Sequence, residues 1–390
     1  MNVGSKTRIE SIDLLKGIVM VLMALDHVRD YFHYSAFFFD PADPTQSTLP
    51  IFFTRFITHF CAPTFCFLAG TSAWMVGKRK SKNELSSFLL KRGIWLIFIE
   101  MTIVNFGWYF DIYFKSPGLL VIWSLGISMI VLAALVHLSR TSILLFSLLL
   151  ILGHNLLDNL HFNGNVFWAI LHEFAFFKLT DGVEFVVGYP IIPWIAVMAL
   201  GYYFGAFYDP SYTSEKRKKL FTTIGISVLV AFIVLRFYNF YGDPIPYEDY
   251  DSTAKDLISF FNPSKYPPSL LYLFMTLGAA ILFLAHTEKL KGTVVDFFST
   301  FGRVPFFYYI LHLYVIHLIA LLFAEISGFG WSIMILQDWV TESPKLKGYG
   351  FPLWVVYTVW IFVIVLLYPL CKKFDTYKQT HKEKWWLSYL

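Results

Sequence analysis

Ten stretches of the chain are almost continuously apolar, and short polar connections separate most of them. They cover 13–32, 51–77, 93–113, 118–138, 142–158, 189–207, 220–238, 268–286, 304–324 and 352–371. A bilayer-crossing helix needs about 20 apolar residues, or about 17 at the short end. The pattern therefore predicts an all-α polytopic membrane protein of about ten transmembrane helices, forming one transmembrane domain over 1–390. No fixed-period repeat, low-complexity tract or glycine-rich phosphate loop interrupts it, and nothing in it points to nucleic acid.

Composition agrees with that pattern. The 390 residues are 57% hydrophobic, 20% aromatic and 15% charged, against roughly 25% charged in soluble domains, and the mean hydropathy is +0.58. Lys6 and Arg8 precede the first apolar run as they would in a signal peptide. "DHVRDYF" follows instead of a small-residue cleavage site, so the sequence predicts a retained helix. The three cysteines imply no disulfide framework: Cys61 and Cys66 share one apolar run and Cys371 lies far away. Five-residue spacing turns two helical sulfurs apart, so no metal site is expected.

Charge supplies orientation. With the N-terminus cytoplasmic and ten crossings, 22 of the 31 lysines and arginines fall in inner segments, which is the bias of the positive-inside rule. Both termini are then cytoplasmic. The long connections 159–188 and 239–267 are external, and the second carries five acids, two lysines and many tyrosines and phenylalanines. Such a surface suits a solvated cap or stacking on sugar rings.

Polar residues inside apolar spans are costly and mark function by default. The first span ends in "MALDHVRDYFHYS", which holds Asp26, His27, Arg29, Asp30 and His33. His27 lies about 22 Å along the span at 1.5 Å per residue, in its expected outer half. On a helix, residues three and four apart share a face, so Asp30 can orient His27 or His33 while Asp26 reaches Arg29 and Asp30. A carboxylate beside an imidazole is the arrangement of a general base or an activated nucleophile. The alternative for this cluster is an interfacial anchoring belt.

The second span adds Arg55 and His59, four apart, with Pro63 expected to kink the helix. The ninth carries His312 near mid-membrane, with Tyr308 and Tyr309 before it and His317 facing elsewhere. These residues make a candidate polar site; spacing alone names no reaction.

The opening "RIESIDLLKGIVMVLMALDHVRDYF" is similar to that of the heparan-α-glucosaminide N-acetyltransferase-like membrane proteins. Arg8, Ser11, Asp13 and Gly17 match that family's R-x-x-S-x-D-x-x-R-G pattern, with Lys16 in place of the second arginine. "HFCAPTFCFLAGTSA" resembles its P-x-F-x-F-x-x-G signature through Pro63, Phe65, Phe67 and Gly70. "YPIIPWIAVMALGYYFG", "KYPPSLLYLFMTLG" and "FGRVPFFYYILHLYVIH" look like segments of the bacterial branch.

The resemblance implies an acyltransferase of about ten or eleven helices that moves an acetyl group from cytosolic acetyl-CoA to a sugar or glycan across the membrane. The family's lysosomal member acetylates a terminal glucosamine, with a histidine after its first helix as proposed base or acyl acceptor. That histidine corresponds to His33 or His27, and His59 stands where that member has an acidic residue. On this reading Asp26 and Asp30 orient the histidine, while His59 and Arg55 position substrate or stabilise the oxyanion. Arg8, Lys16, Lys78, Arg79 and Arg303 are available to CoA phosphates, with His312 deeper along the donor's path. The expected setting is a bacterial inner membrane. Oligomeric state stays open, a homodimer included. The rival reading is a transporter or lipid-handling protein without acyl chemistry; no second half repeats the broken-helix signature such a fold favours.

Overall fold

The structure is a computed structural model that describes residues 9–388 apart from Asp181 and Asp251. Helices dominate it: α1 (Glu10–Phe32), α2 (Leu49–Phe56), α3 (Cys61–Gly77), α4 (Lys82–Ile99), α5 (Asn105–Tyr109), α6 (Val121–Leu135), α7 (Arg140–Gly153) and α8 (Val166–His172) form the first half. The second comprises α9 (Trp194–Gly205), α10 (Ser214–Tyr238), α11 (Thr253–Phe260), α12 (Leu270–Thr287), α13 (Thr293–Arg303), α14 (Pro305–Ile326) and α15 (Leu353–Thr380). A small sheet, β1 (Gly118–Leu119), β2 (Ala175–Thr180) and β3 (Val183–Val187), has β3 in the middle, antiparallel to β2 and parallel to β1.

Every expected apolar stretch falls largely on a helix or on helices joined end to end, although 118–138 opens on β1 and 93–113 and 189–207 include non-helical residues. Six such rods among the described residues are long and apolar enough to cross a membrane: Leu49–Gly77, Arg140–Leu157, Ser214–Tyr238, Leu270–Thr287, Pro305–Ile326 and Leu353–Thr380. Val121–Leu135 and Trp194–Tyr208 are apolar but shorter. α1 is long enough yet carries Asp13, Lys16, Asp26, Arg29 and Asp30. α7 and α10 leave Leu145, Leu149, Val230, Ile233 and Phe237 exposed. An apolar belt of that kind needs hydrocarbon around it rather than water. The chain is an integral membrane protein.

Pro63 acts as expected, with its effect placed one turn earlier. Lacking an N–H, it cannot donate to the carbonyl of residue 59, and the rod breaks into a tight turn over Ile57–Phe60 before α3 begins. The freed His59 carbonyl accepts instead from the Tyr272 hydroxyl at 2.7 Å. The Tyr272 bond ties that break to α12.

α1 is the axis of the bundle and packs against α3, α12, α13, α14 and α15. Its crossing with α13 is so close that a Cβ on Gly17 would stand 1.7 Å from the Phe298 carbonyl oxygen. α3 and α9 meet in the same way: a Cβ on Gly70 would lie 1.9 Å from the Met198 oxygen, and one on Gly201 1.9 Å from the Phe67 oxygen. Only hydrogen fits at these points, so two motif glycines, Gly17 and Gly70, serve helix packing.

Candidate functional site

Asp26 is the hub of the polar site. Its Oδ1 lies 2.9 Å from Arg29 Nη1, its Oδ2 is paired with Arg55 Nη1, and Lys265 Nζ approaches Oδ2 at 3.7 Å. Arg29 turns its other Nη to Asp30 Oδ1. Three cations and two carboxylates thus interlock with side chains almost wholly withdrawn from solvent. Breaking such a group strands a buried charge, which is why its members depend on one another.

The carboxylates are consumed by this network, so the Asp30–imidazole bond expected from three-residue spacing is not made. His27 is oriented by another imidazole. Its Nδ1 sits 2.8 Å from His312 Nε2 on α14, and the two rings stack at 4.9 Å between centroids with 12° between planes. Trp108 closes edge-on against His27 at 4.7 Å. Spacing within α1 could not reveal this partner, because it lies 285 residues away.

Two cavities meet at His27. A wide one of about 470 Å³ lies at the C-terminal end of α1, bordered by Arg29, Asp30, Arg55, Trp108, Tyr266 and Trp339 among others. A narrow one of about 60 Å³ runs back along α1 past Met23 and Met20 to Val19, between Ala62, Phe65, Leu125 and Phe306. Asp26, His27, Val121, Tyr189 and Tyr309 line both. The wide chamber is aromatic and charged; the narrow one is largely apolar.

The other expected residues lie elsewhere. α1 ends at Phe32, and His33 turns into extended backbone (φ −85°, ψ 124°). Its Nδ1 then bonds Ser35 Oγ at 2.6 Å, its backbone bridges to Phe351, and it lines neither cavity. Burial, and then Arg29, push its pKa down to about 4. His59 sits in the turn that Pro63 imposes, its ring centroid 5.6 Å from that of Tyr272, with Nδ1 buried and unpartnered among the described residues. It too lines neither cavity, so only Arg55 of that expected pair joins the site.

The cationic set expected at a donor's phosphates is dispersed. Arg8 lies outside the described residues. Lys16 donates to Ser72 Oγ at 2.6 Å, Lys78 pairs with Asp209 at 2.5 Å, Arg303 pairs with Asp375 at 2.6 Å, and Arg79 is exposed. His312, grouped with them from sequence, is part of the site itself.

Sequence reasoning missed Lys265 and Tyr266, which reach the site from the connection before α12. Burial opposes ionisation of Tyr266, yet Lys265 and Arg55 beside it hold its phenol below the usual tyrosine range. Their signal was faint: one of two lysines in an otherwise acidic, tyrosine-rich segment.

His27 thus stands at the junction of a charged, aromatic chamber and a largely apolar slot, flanked by fixed cations, an arrangement able to move a proton. The catalytic family of heparan-alpha-glucosaminide N-acetyltransferase matches residues 8–240, more than half of the chain, and the chain belongs to that family. No curated protein matches the chain. The family defines membrane acetyltransferases; the match contains Asp26, His27, Arg29 and Arg55, while Lys265 and His312 lie beyond it.

Proposed function

We propose that this protein transfers the acetyl group of cytosolic acetyl-CoA to the amine or hydroxyl of a sugar or glycan on the far side of the membrane. The observation that carries the reading is the meeting of the two cavities at His27. A thioester arm threading the narrow apolar slot from the inner side would bring its carbonyl to the same imidazole that faces an acceptor in the wide chamber. Aromatic walls such as Trp339, Phe174, Phe176 and Tyr266 suit stacking on a sugar ring. In this arrangement ten crossings place both termini in the cytoplasm of a bacterial inner membrane.

The chemistry balances with this chain's own groups. His27 takes a proton from the acceptor as its nitrogen or oxygen attacks the thioester carbonyl. The new C–N or C–O bond forms, the C–S bond breaks, and the proton on His27 passes to the departing CoA sulfur. Arg55 retains guanidinium donors beyond its bond to Asp26 and is the group assigned to the developing oxyanion. A positioned base contributes about 10²–10⁴-fold to such a step.

The test is vectorial. Proteoliposomes would receive labelled acetyl-CoA on one side and an amino sugar or glycan panel on the other. The proposal expects acetylated sugar and free CoA on opposite sides. Passage of sugar or CoA across the bilayer without covalent change overturns it in favour of transport.

A further inference from the structure

We infer that His312 is a positioning residue that fixes the tautomer of His27, so that a backbone carbonyl on α14 sets which nitrogen of His27 faces the reacting groups. The inference rests on the proposed role of His27 as base and specifies how that role is prepared.

Two hydrogen bonds fix that tautomer. His312 Nδ1 lies 3.0 Å from the Tyr308 carbonyl oxygen, one helical turn earlier. A carbonyl only accepts, so His312 carries its proton on Nδ1. The neutral ring then offers only a lone pair at Nε2. That atom is 2.8 Å from His27 Nδ1, so His27 must donate from Nδ1. Neutral His27 therefore has its own lone pair on Nε2, which bonds no group among the described residues, in a ring that borders both cavities.

Packing holds the relay still. His312 is fully buried and sandwiched, with His27 on one side and Tyr308 stacked at 5.0 Å and 9°. Trp108 blocks rotation of His27 from its edge. In dyads where a carboxylate orients histidine, the acceptor also carries a charge. Asp26 and Asp30 are committed to arginines here, and a neutral imidazole takes the orienting role instead. A neutral orienter adds no further negative charge beside a chamber that Asp26 and Asp30 already border.

Two measurements test this. The first is 15N NMR of histidine-labelled wild-type protein, with the His27 signals assigned by their loss in His27→Gln. The inference expects a protonated Nδ1 and a bare Nε2; a protonated Nε2 with a bare Nδ1 overturns it, whether or not acyl transfer occurs. The second compares His312→Leu with His312→Gln, whose amide oxygen can accept from His27 Nδ1. Leu should lower kcat by about 10²-fold, less than the roughly 10⁴-fold cost where a charged orienter is lost, with KM for the donor nearly unchanged. Gln should recover kcat to within about tenfold. Wild-type kcat in the Leu variant, or equal loss in both variants with donor binding intact, overturns it. Should either variant fail to fold, the wild-type spectrum decides alone.

Discussion

Lys265 holds its ammonium 3.7 Å from the carboxylate of Asp26, joining the connection that precedes α12 to the middle of the charged cluster on α1. The two residues are unequal partners. Asp26 also meets Arg29 and Arg55, whereas Lys265 reaches no other carboxylate among the described ion pairs. Removing Lys265 therefore leaves Asp26 compensated, while removing Asp26 leaves three cations with Asp30 alone, which pairs only with Arg29. Lys265→Met should cost about 1 kcal/mol and Asp26→Ala about 3–5 kcal/mol. Thermal unfolding in detergent would read the difference, and equal costs would contradict the hub role of Asp26.

The narrow cavity makes a separate prediction. Ala62 lines it together with His27 and Val19, and the slot holds only about 60 Å³. Ala62→Phe fills that space while leaving every charged residue in place. Donor turnover should fall at least about 100-fold, consistent with the cost of displacing a reacting centre by about 1 Å. Binding of an acceptor in the wide chamber, followed by calorimetry, should be retained. Unchanged turnover would place the donor's path elsewhere.

Helix contact through glycine is testable by contrast. A Cβ at Gly201 would meet the Phe67 carbonyl at 1.9 Å, and backbone cannot yield as a side chain can. Gly201→Leu should destabilise by about 3 kcal/mol or more, at the upper end of overpacking. Gly153 has nothing within 4 Å of its would-be Cβ, so Gly153→Ala should stay within about 0.5 kcal/mol of wild type. Chemical denaturation of both variants checks the ordering.

The connection 239–269 should respond to pH through Asp243. Burial, opposed by Arg236, pushes its pKa up to about 6, from about 4 in an unfolded chain. Between these values the folded state binds the extra proton. The stability that Asp243 contributes is therefore full below about pH 4 and lost as pH rises through 6, about 3 kcal/mol in all. Its carboxylate also accepts from Ile245 N, Ser264 N and Ser269 Oγ. Hydrogen exchange of backbone 245–264, corrected for intrinsic rates, should show more protection at pH 5 than at pH 7. The opposite trend would contradict this assignment.

Local chemistry was legible in the sequence where it acts over one or two helical turns. The apolar runs located the long apolar helices but not α8, α11 or α13, Pro63 announced the break after α2, and the residues from Asp26 to Asp30 showed as a polar cluster. Periodicity failed where partners are chosen by packing. It paired Asp30 with an imidazole because both lie on one face of α1, but Arg29 offers the carboxylate a stronger, charged partner. It drew His33 toward the site because it assumed α1 continued, whereas the helix ends one residue earlier. His312 and Lys265 were out of reach, since only the crossing of α1 with α14 and the return of a long connection bring them to Asp26 and His27. Gly17 and Gly70 were recognised as motif positions, and the structure supplies their reason in the two closest helix crossings.

In the proposed function, His27, where the two cavities join, carries acyl transfer. The direct measurement is CoA release from acetyl-CoA by purified protein in nanodiscs, with an amino sugar and glycan panel, for wild type, His27→Ala, His33→Ala and His59→Ala. Acceptor-dependent turnover in wild type, a loss of about 10²–10⁴-fold in His27→Ala, and retention of most activity in the other two is the predicted result. Full activity in folded His27→Ala, or loss only in His33→Ala or His59→Ala, would contradict it.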